Sequence, residues 1–492
     1  MLLALIILPL AAVIGILLGA PAKRTAQGIA GLMLILALVT AGTWSPDAWQ
    51  ISIPMLAKPN IALALGLPDG LSVIMMLLSV LVLFAATMSG KAPEGREKMW
   101  YSSALLIGTG ALGAFLSLDL FFFYAFHELA LIPTFLMIGI LGRGERKEAA
   151  WKVTIYLAFG SIILLAGLVW LVGASGAQSF LFQDILAGQI DPAAQKGIAL
   201  LLIIGFGTLV SLVPFHSWAA PAYASAPTPV AMLHAGVLKK FGLYGLIRLY
   251  PAVSEGLQQW LCLLIVLLLA NIIWVGFVTI NQKRLDGMLA NSSVMHMGDI
   301  FLAIAALIAA GEAGNDLAIP AATLLMFAHG ISIALLFALT DKVETATGSL
   351  ELHELGGLAK KAPQLAFLFG FGGMASIGLP GLANFSGEVL VFLSGFRNWS
   401  GGELGPVQIA TIIALWGVVM SAVYMLRAFR KTFQGPSVSL TEKAGDLSCA
   451  EKIPALLLAL ALLIAGLYPN SLLRFFPEPE TQPTETARIA QN

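Results

Sequence analysis

An all-α polytopic membrane protein of about fourteen transmembrane helices is predicted by three observations on this sequence. First, 58% of its 492 residues are hydrophobic and only 11% are charged, against about 25% charged in a typical soluble domain. Second, the charges cluster and leave apolar runs near the roughly 20 residues that a helix needs to cross a bilayer core about 30 Å thick. Third, the basic residues alternate between the two ends of these runs in step with the count.

Candidate spans fall near 2–20, 26–44, 71–89, 102–118, 119–141, 153–173, 197–219 and 229–250, then near 258–280, 286–310, 318–340, 364–393, 407–427 and 453–469. Leu2 to Leu18 lacks a basic n-region and a small-residue cleavage site, so it reads as a retained helix and not a signal peptide. The fourth and fifth spans adjoin with little to separate them, and 364–393 is too long and too rich in Gly and Pro for one straight helix. If the N-terminus is outside, the loops after spans 1, 3, 5, 9, 11 and 13 and the helix ends beside them hold 19 of the 27 Lys and Arg, from Lys23 and Arg24 through Arg143, Arg146 and Arg284 to Lys452. Positive charge prefers the cytoplasmic side, so both termini are expected on the periplasmic face of a bacterial inner (plasma) membrane. The longest polar segments, about 343–362 and 434–452, read as loops, and the acidic tail after Arg474 as a short disordered end.

Composition also narrows function. Net charge is zero and no basic run suggests a nucleic-acid face. Cys262 and Cys449 stand far apart with no CxxC or Cys/His spacing, and no nucleotide fingerprint or haem motif occurs. No cofactor is expected on this chain.

Ionisable residues at membrane depth are costly and are functional candidates by default. Glu128 sits in Phe121-Phe-Phe-Tyr-Ala-Phe-His-Glu128-Leu-Ala-Leu-Ile-Pro133, with His127 beside it. Lys239 and Lys240 lie mid-span; neighbours point about 100° apart on a helix, so the pair should not face one partner. One is expected to line a polar interior while the other snorkels or pairs elsewhere. Glu388 follows a Pro and Gly break, Ile377-Gly-Leu-Pro380-Gly-Leu, where freed backbone must line protein or water. His216, His234, His296 and His329 lie in or beside spans and add groups that titrate near neutrality. Asp286 and Asp341 sit near helix ends, where solvation is the better reading. The series points to an ion path, most naturally for protons.

A repeat is hidden in the spacing. The break prolines Pro214 and Pro380 are 166 residues apart, and Glu128 and His296 are 168 apart. A unit of about five helices is implied, and an odd number inverts the copies, a plan used by ion transporters. The expected divisions are N-terminal helices 1–3 over 1–100, a first repeat (helices 4–8) over 101–250, a second inverted repeat (helices 9–13) over 258–431, and the last helix with its tail over 453–492.

At these residues the sequence resembles the antiporter-like membrane subunits of respiratory complex I, chain M in particular. The telling stretches are His127-Glu-Leu-Ala-Leu-Ile-Pro133, Pro214-Phe-His-Ser-Trp218, Ala226-Pro-Thr228, Ala235-Gly-Val-Leu-Lys-Lys240, Tyr244-Gly-Leu-Ile-Arg248, His329-Gly330, Glu354-Leu-Gly-Gly-Leu-Ala-Lys360 and Ile377-Gly-Leu-Pro-Gly381 through Gly387-Glu388. The resemblance covers essentially the whole chain. It implies fourteen helices with helices 7 and 12 broken, and proton translocation driven by quinone reduction in other subunits. NADH, FMN, iron–sulfur clusters and quinone are then expected on partner subunits, with chain L-, N- and K-like proteins as membrane neighbours. The family's helix-five glutamate falls on Glu128, its helix-eight lysine on Lys240, and the helix-twelve glutamate of chain M on Glu388.

The sequence also departs from the pattern. The family's helix-seven lysine aligns with Leu209, the Leu-Pro-Asp-Ala-His segment is Ala219-Ala-Pro-Ala-Tyr223, and the Ala-Tyr-Ser-Ser signature is Ala290-Asn-Ser-Ser293. Lys239, where the family normally has leucine, is expected to substitute in part for the missing partner of Glu128. The expected function is a proton-translocating subunit of a complex I-type NADH or ferredoxin:quinone oxidoreductase. The alternatives are a Mrp-type cation/proton antiporter subunit, against which Glu388 argues, and a non-pumping structural subunit, which Leu209 favours.

Overall fold

The protein was analysed as a computed structural model, which describes residues 1–46 and 48–477. The tail expected after Arg474 lies, from residue 478 on, outside the described residues. Among the described residues, twelve helices are long and apolar enough to cross a membrane, and three shorter apolar helices accompany them. In chain order the principal helices are α1 (Leu2–Leu18), α2 (Ala22–Gly42), α3 (Gly70–Met88), α4 (Glu97–Leu116), α5 (Leu120–Leu141), α6 (Arg146–Ser175), α7 (Pro192–Val210) and α8 (Ala219–Ser225). They continue as α9 (Thr228–Ala252), α10 (Leu261–Ile280), α11 (Leu285–Ala313), α12 (Ala318–Thr347), α13 (Pro363–Ile377), α14 (Ala383–Phe396), α15 (Pro406–Phe433) and α16 (Cys449–Leu467). Among the described residues the protein is thus an all-α polytopic membrane protein with one small exception. An antiparallel hairpin, β1 (Gln50–Ala57) and β2 (Asn60–Gly66), lies in the segment between α2 and α3.

The boundary between the fourth and fifth spans has a clear cause. Asp119 caps α5 by accepting from the backbone N–H groups of Phe121 at 2.9 Å and Phe122 at 3.2 Å. Its other oxygen takes the N–H of Ala62 in the hairpin at 3.2 Å. One carboxylate therefore ends one loop, starts a helix and ties the hairpin to both.

Both predicted breaks are present. α7 ends at Val210 on Ser211, which holds a left-handed φ of 69° without being glycine, and the chain resumes as α8 only at Ala219. α13 ends on Gly378, φ 80°, and α14 begins at Ala383. The two left-handed break residues stand 167 positions apart. Helix α12 runs to Thr347, so the polar loop expected from 343 begins one turn later.

Helices α9 and α12 are buried throughout their most apolar stretches, and α3, α4 and α11 nearly so, while α2, α6, α10 and α16 form the rim. The rim presents large apolar side chains outward, among them Trp151, Ile155, Ile162, Val169, Trp274 and Leu456. On a soluble protein so much apolar surface would drive association; here it suits lipid.

The two central helices touch backbone to backbone. A methyl group added at Gly330 would come within 2.6 Å of the carbonyl oxygen of Gly236, and one added at Gly236 within 3.0 Å of the Gly330 oxygen. Only glycine on both sides allows this approach, the small-residue contact typical of membrane helices. Because backbone, unlike a side-chain tip, cannot swing away, Gly330→Val forces α9 and α12 apart. We expect a cost of at least about 1–3 kcal/mol from overpacking, read as a lower thermal unfolding midpoint of the purified assembly.

Candidate functional site

Lys239 and Lys240 follow a π-helical turn, His234–Leu238, inside α9. There the Lys239 N–H bonds to the carbonyl of His234, five residues back, at 3.1 Å. Such turns insert one residue and rotate all that follows. They recur at functional sites because they re-aim side chains. Both lysines are fully buried, so neither snorkels, and the two pair with different partners. Lys239 Nζ donates to the carbonyl of Ser293 at 3.2 Å and lies 5.5 Å above the ring of Tyr223. Lys240 Nζ folds back onto the carbonyl of Ala235 at 2.7 Å and meets Nδ1 of His329 at 2.9 Å. The glycine crossing of α9 and α12 brings this last pair within reach.

From His329 the polar series continues toward α14. The rings of His329 and His296 are 5.6 Å apart. His296 lies between two groups, with Nδ1 3.3 Å from Oδ2 of Asp299 and Nε2 3.3 Å from the hydroxyl of Tyr424. That hydroxyl also meets Ser292 Oγ at 2.7 Å. Asp299 is buried and within electrostatic reach of Glu388, itself buried just past the α13/α14 break. Glu388 packs its carboxylate against Gly378, whose left-handed φ favours glycine and where an added Cβ would make Oε2 shift. One turn before Glu388, Asn384 is fully buried and neither atom of its amide has a protein partner. His329 Nε2 also lacks a hydrogen-bonding protein partner. Groups of this kind recruit internal water.

Glu128 stands on the opposite flank. Its Oε1 accepts from Ser161 Oγ at 2.5 Å and lies 3.7 Å from His127 Nδ1. The side chain is 37% exposed, on a face flanked by the exposed Phe121 and Ile132. His127 stacks on Phe241 at 4.0 Å between ring centres, and Phe241 adjoins Lys240 in the chain. An aromatic wall thus stands between Glu128 and the lysine site.

The remaining histidines separate. His234 is buried, with Nδ1 3.1 Å from the hydroxyl of Tyr223. His216 is only partly buried, in the turn between α7 and α8. The freed backbone of that turn is satisfied from α10 by Asn271, whose Oδ1 accepts from Val213 N at 2.7 Å. Its Nδ2 donates to the carbonyls of Ser211 at 3.1 Å and Val294 at 2.9 Å. Asn271 itself rides on a second π-helical turn, Ala270–Trp274.

Several expectations need correction. Lys239 bonds to Ser293, while Glu128 has Ser161 and His127 as its partners, so Lys239 does not replace the missing helix-seven lysine as a contact of Glu128. Leu209, at the position of that lysine, is buried. Asp286 is not solvated: its side chain is fully buried and held by Arg284 Nη2 at 2.9 Å and by Gly287 N at 2.8 Å. Asp341 is mostly buried and accepts from Thr228 at 2.6 Å. Sequence reading missed Asp299, although His296-Met-Gly-Asp299 puts a carboxylate in an apolar helix at the i,i+3 spacing of facing side chains. Tyr223, Tyr424, Ser161 and Asn271 were missed as well.

Fold and site together define a membrane protein built to carry ions through its interior on buried titratable groups. The comparisons with known proteins agree. Residues 117–426 match the family described as NADH:quinone oxidoreductase/Mrp antiporter, transmembrane, and the chain belongs to that family. It is 34% identical over 480 residues to NAD(P)H-quinone oxidoreductase chain 4 1 of Synechococcus sp. strain JA-3-3Ab, covering 95% of this chain and 89% of the relative. NADH-quinone oxidoreductase subunit M of Rickettsia felis is 32% identical over 414 residues, covering 83% of this chain and 80% of the relative. Among solved structures, a chain of respiratory complex I from Thermus thermophilus with bound NADH superposes with a TM-score of 0.87 at 30% identity, covering 96% of this chain and 97% of that one.

The Asn271 clamp yields a direct test. Asn271→Leu keeps the side-chain volume but leaves the Val213 N–H and the Ser211 and Val294 carbonyls without this partner. An unsatisfied buried polar group costs about 1–3 kcal/mol. We expect a lower thermal midpoint and faster hydrogen exchange confined to residues 211–218.

Proposed function

We propose that the chain is the chain M-type, proton-translocating membrane subunit of a complex I-type NADH or ferredoxin:quinone oxidoreductase. On this reading electron transfer occurs in partner subunits that hold NADH or ferredoxin, FMN, iron–sulfur clusters and quinone, and this chain supplies only the proton path. Counting α1 as a span and α13 with α14 as one broken crossing gives fourteen. The two break residues 167 positions apart support two inverted five-helix repeats. The positive-inside pattern supports termini on the periplasmic side of a bacterial inner membrane.

The observation that carries the proposal is the buried series Lys240, His329, His296, Asp299 and Glu388, which reaches from a central helix to the second break. Three bases are followed by two carboxylates, with 2.9 Å from Lys240 to His329, 5.6 Å between the two histidine rings and 3.3 Å from His296 to Asp299. A proton arriving at Lys240 passes to His329 at 2.9 Å. Either ring nitrogen of a histidine can take or give a proton, so His329 and His296 hand it on toward Asp299 and Glu388. Charge at each station alters the affinity of the next, because the low-dielectric interior screens little. Lys239 and His234, held by Ser293 and Tyr223, and His216 at the first break would tune or feed Lys240 from the side.

Glu128 joins the series from the flank. A carboxylate 37% exposed at membrane depth is too costly against lipid, which supports a neighbouring protein subunit covering that face. Chain L-, N- or K-like subunits are the proposed neighbours. A second reading, a subunit that assembles but does not pump, draws its support from the buried Leu209 where the family's lysine would stand. A Mrp-type antiporter subunit remains the alternative within the same family, and Glu388 argues against it.

Proton pumping by the purified complex in vesicles decides among these. In Glu128→Gln, Lys240→Ala and Glu388→Gln variants we expect the proton-to-electron ratio to fall while quinone reduction with an uncoupler stays measurable. Normal stoichiometry in all three would leave the non-pumping reading standing. Sodium-driven proton exchange by the chain and its neighbours, without electron transfer, would favour the antiporter reading.

A further inference from the structure

The face of α9 that carries Lys240 also carries Tyr244 and Arg248, at i, i+4 and i+8, about 12 Å of helix from first to last. Arg248 plays no part in the relay above, yet it is among the most tightly held side chains in the protein. Its two terminal nitrogens grip both oxygens of Asp69, with Nη2 to Oδ1 at 2.8 Å, and Nη2 donates to Ser72 Oγ at 2.6 Å. Ser72 Oγ meets the Tyr244 hydroxyl at 2.9 Å, Tyr244 donates to the carbonyl of Phe115 at 3.0 Å, and the guanidinium lies 4.9 Å from the tyrosine ring. Asp69 is the N-cap of α3 and also accepts from Ser72 N at 3.1 Å.

Immediately beyond this cluster is a cavity of about 570 Å³, roofed by Gln50, Ile51 and Ser52 of the hairpin and bordered by Asp69 and Arg248. It is roomy and polar enough at this end to hold water. The ion pair is layered across its inner wall, since the Asp69 side chain is 40% exposed and that of Arg248 only 15%. The carboxylate is therefore the more open to the cavity, and the guanidinium lies deeper in its wall, on the helix that carries Lys240.

That order has a chemical consequence. A guanidinium stays protonated at any physiological pH, so it donates hydrogen bonds without relaying a proton. Its fixed positive charge also repels an excess proton, as an arginine does in water-selective pores. The Tyr244 hydroxyl, committed to Phe115 and Ser72, has no free orientation with which to pass a proton from Lys240 outward.

We propose that Arg248, held by Asp69 and Ser72, is a proton plug. It closes the direct route from Lys240 to the cavity beneath the hairpin, so that a proton on Lys240 leaves only along His329 toward Glu388. The inference rests on the reading of Lys240 as a proton station. Without the plug, pumped protons would slip back through α9 and the complex would be uncoupled although each relay group was intact.

The test is passive proton leak, measured with an entrapped pH dye, in vesicles holding the whole complex with no electron donor. In Arg248→Gln, which keeps much of the volume and hydrogen bonding, and in Arg248→Met, leak is expected to rise several-fold. Arg248→Lys, which keeps the charge, is expected to stay nearly as tight as native. Adding Lys240→Met to either leaky variant is expected to abolish the leak. Gln and Met variants as tight as native, a leak that survives Lys240→Met, or a loss of assembled complex with no leak in what remains would each overturn the proposal. The two ideas fail separately. If Lys240→Met alone pumps normally, the relay reading is wrong; if it stops pumping while Arg248→Gln stays tight, only the plug is wrong.

Discussion

Lipid offers no hydrogen-bond partner, and every polar group below the headgroups must find one inside the protein. The crossing of α9 and α12 at Gly236 and Gly330 answers this constraint at the centre of the molecule. With no side chains between them, the two backbones approach until the Lys240 ammonium has two acceptors, the Ala235 carbonyl and the His329 ring. A buried ammonium with neither partner would be costly enough to lose its proton or unfold its surroundings. The contact that makes the lysine tolerable is also the first step of the relay proposed above, so on that reading stability and transport are met by the same geometry.

The same constraint explains the irregular backbone. Each break in a helix frees N–H and C=O groups, and each is placed where a side chain from another helix takes them up. Asn271 serves the first break, and in doing so ties α7, α10 and α11 together. At the second break the conformation rests on Gly378, whose missing side chain makes room for Glu388. The π-helical turn before Lys239 belongs to the same economy, because it re-aims two lysines without interrupting the helix that buries them.

How much of this was legible in the sequence depends on whether a residue violates the rule for its surroundings. Glu128, Lys240 and Glu388 stood out as charges in apolar runs, and the proline and glycine clusters marked both breaks. Asp299 violates the rule as plainly and was overlooked beside His296. Asn271 carries no charge and breaks no pattern; its role follows from lying across from a break distant in the chain. The π-helical turns were beyond reach, since a single extra residue in a helical turn leaves no trace in hydrophobic periodicity. The hairpin was missed because β1 alternates for only a few residues before Pro54, and β2 buries both faces and so reads as a plain apolar run. Solvation was wrongly assigned to Asp286 because position near a helix end says nothing about what packs over it.

The two halves of the molecule are not equivalent, and the difference is physical. In the second half, His296, Asp299, Tyr424 and Glu388 form an almost continuous polar chain with unpartnered atoms that invite water. In the first half, Leu209 is packed where the family carries a lysine, and Phe241 stands between His127 and the lysine pair. Without a cation beside it, the charge state of Glu128 is governed by Ser161, His127 and whatever neighbour covers its exposed edge. Its influence on Lys240 must then pass through the stacked His127–Phe241 contact or through space. An apolar wall blocks protons yet transmits an electric field with little screening. On the proposed reading, Glu128 would therefore act on the relay through its charge, across the wall that Phe241 and His127 form.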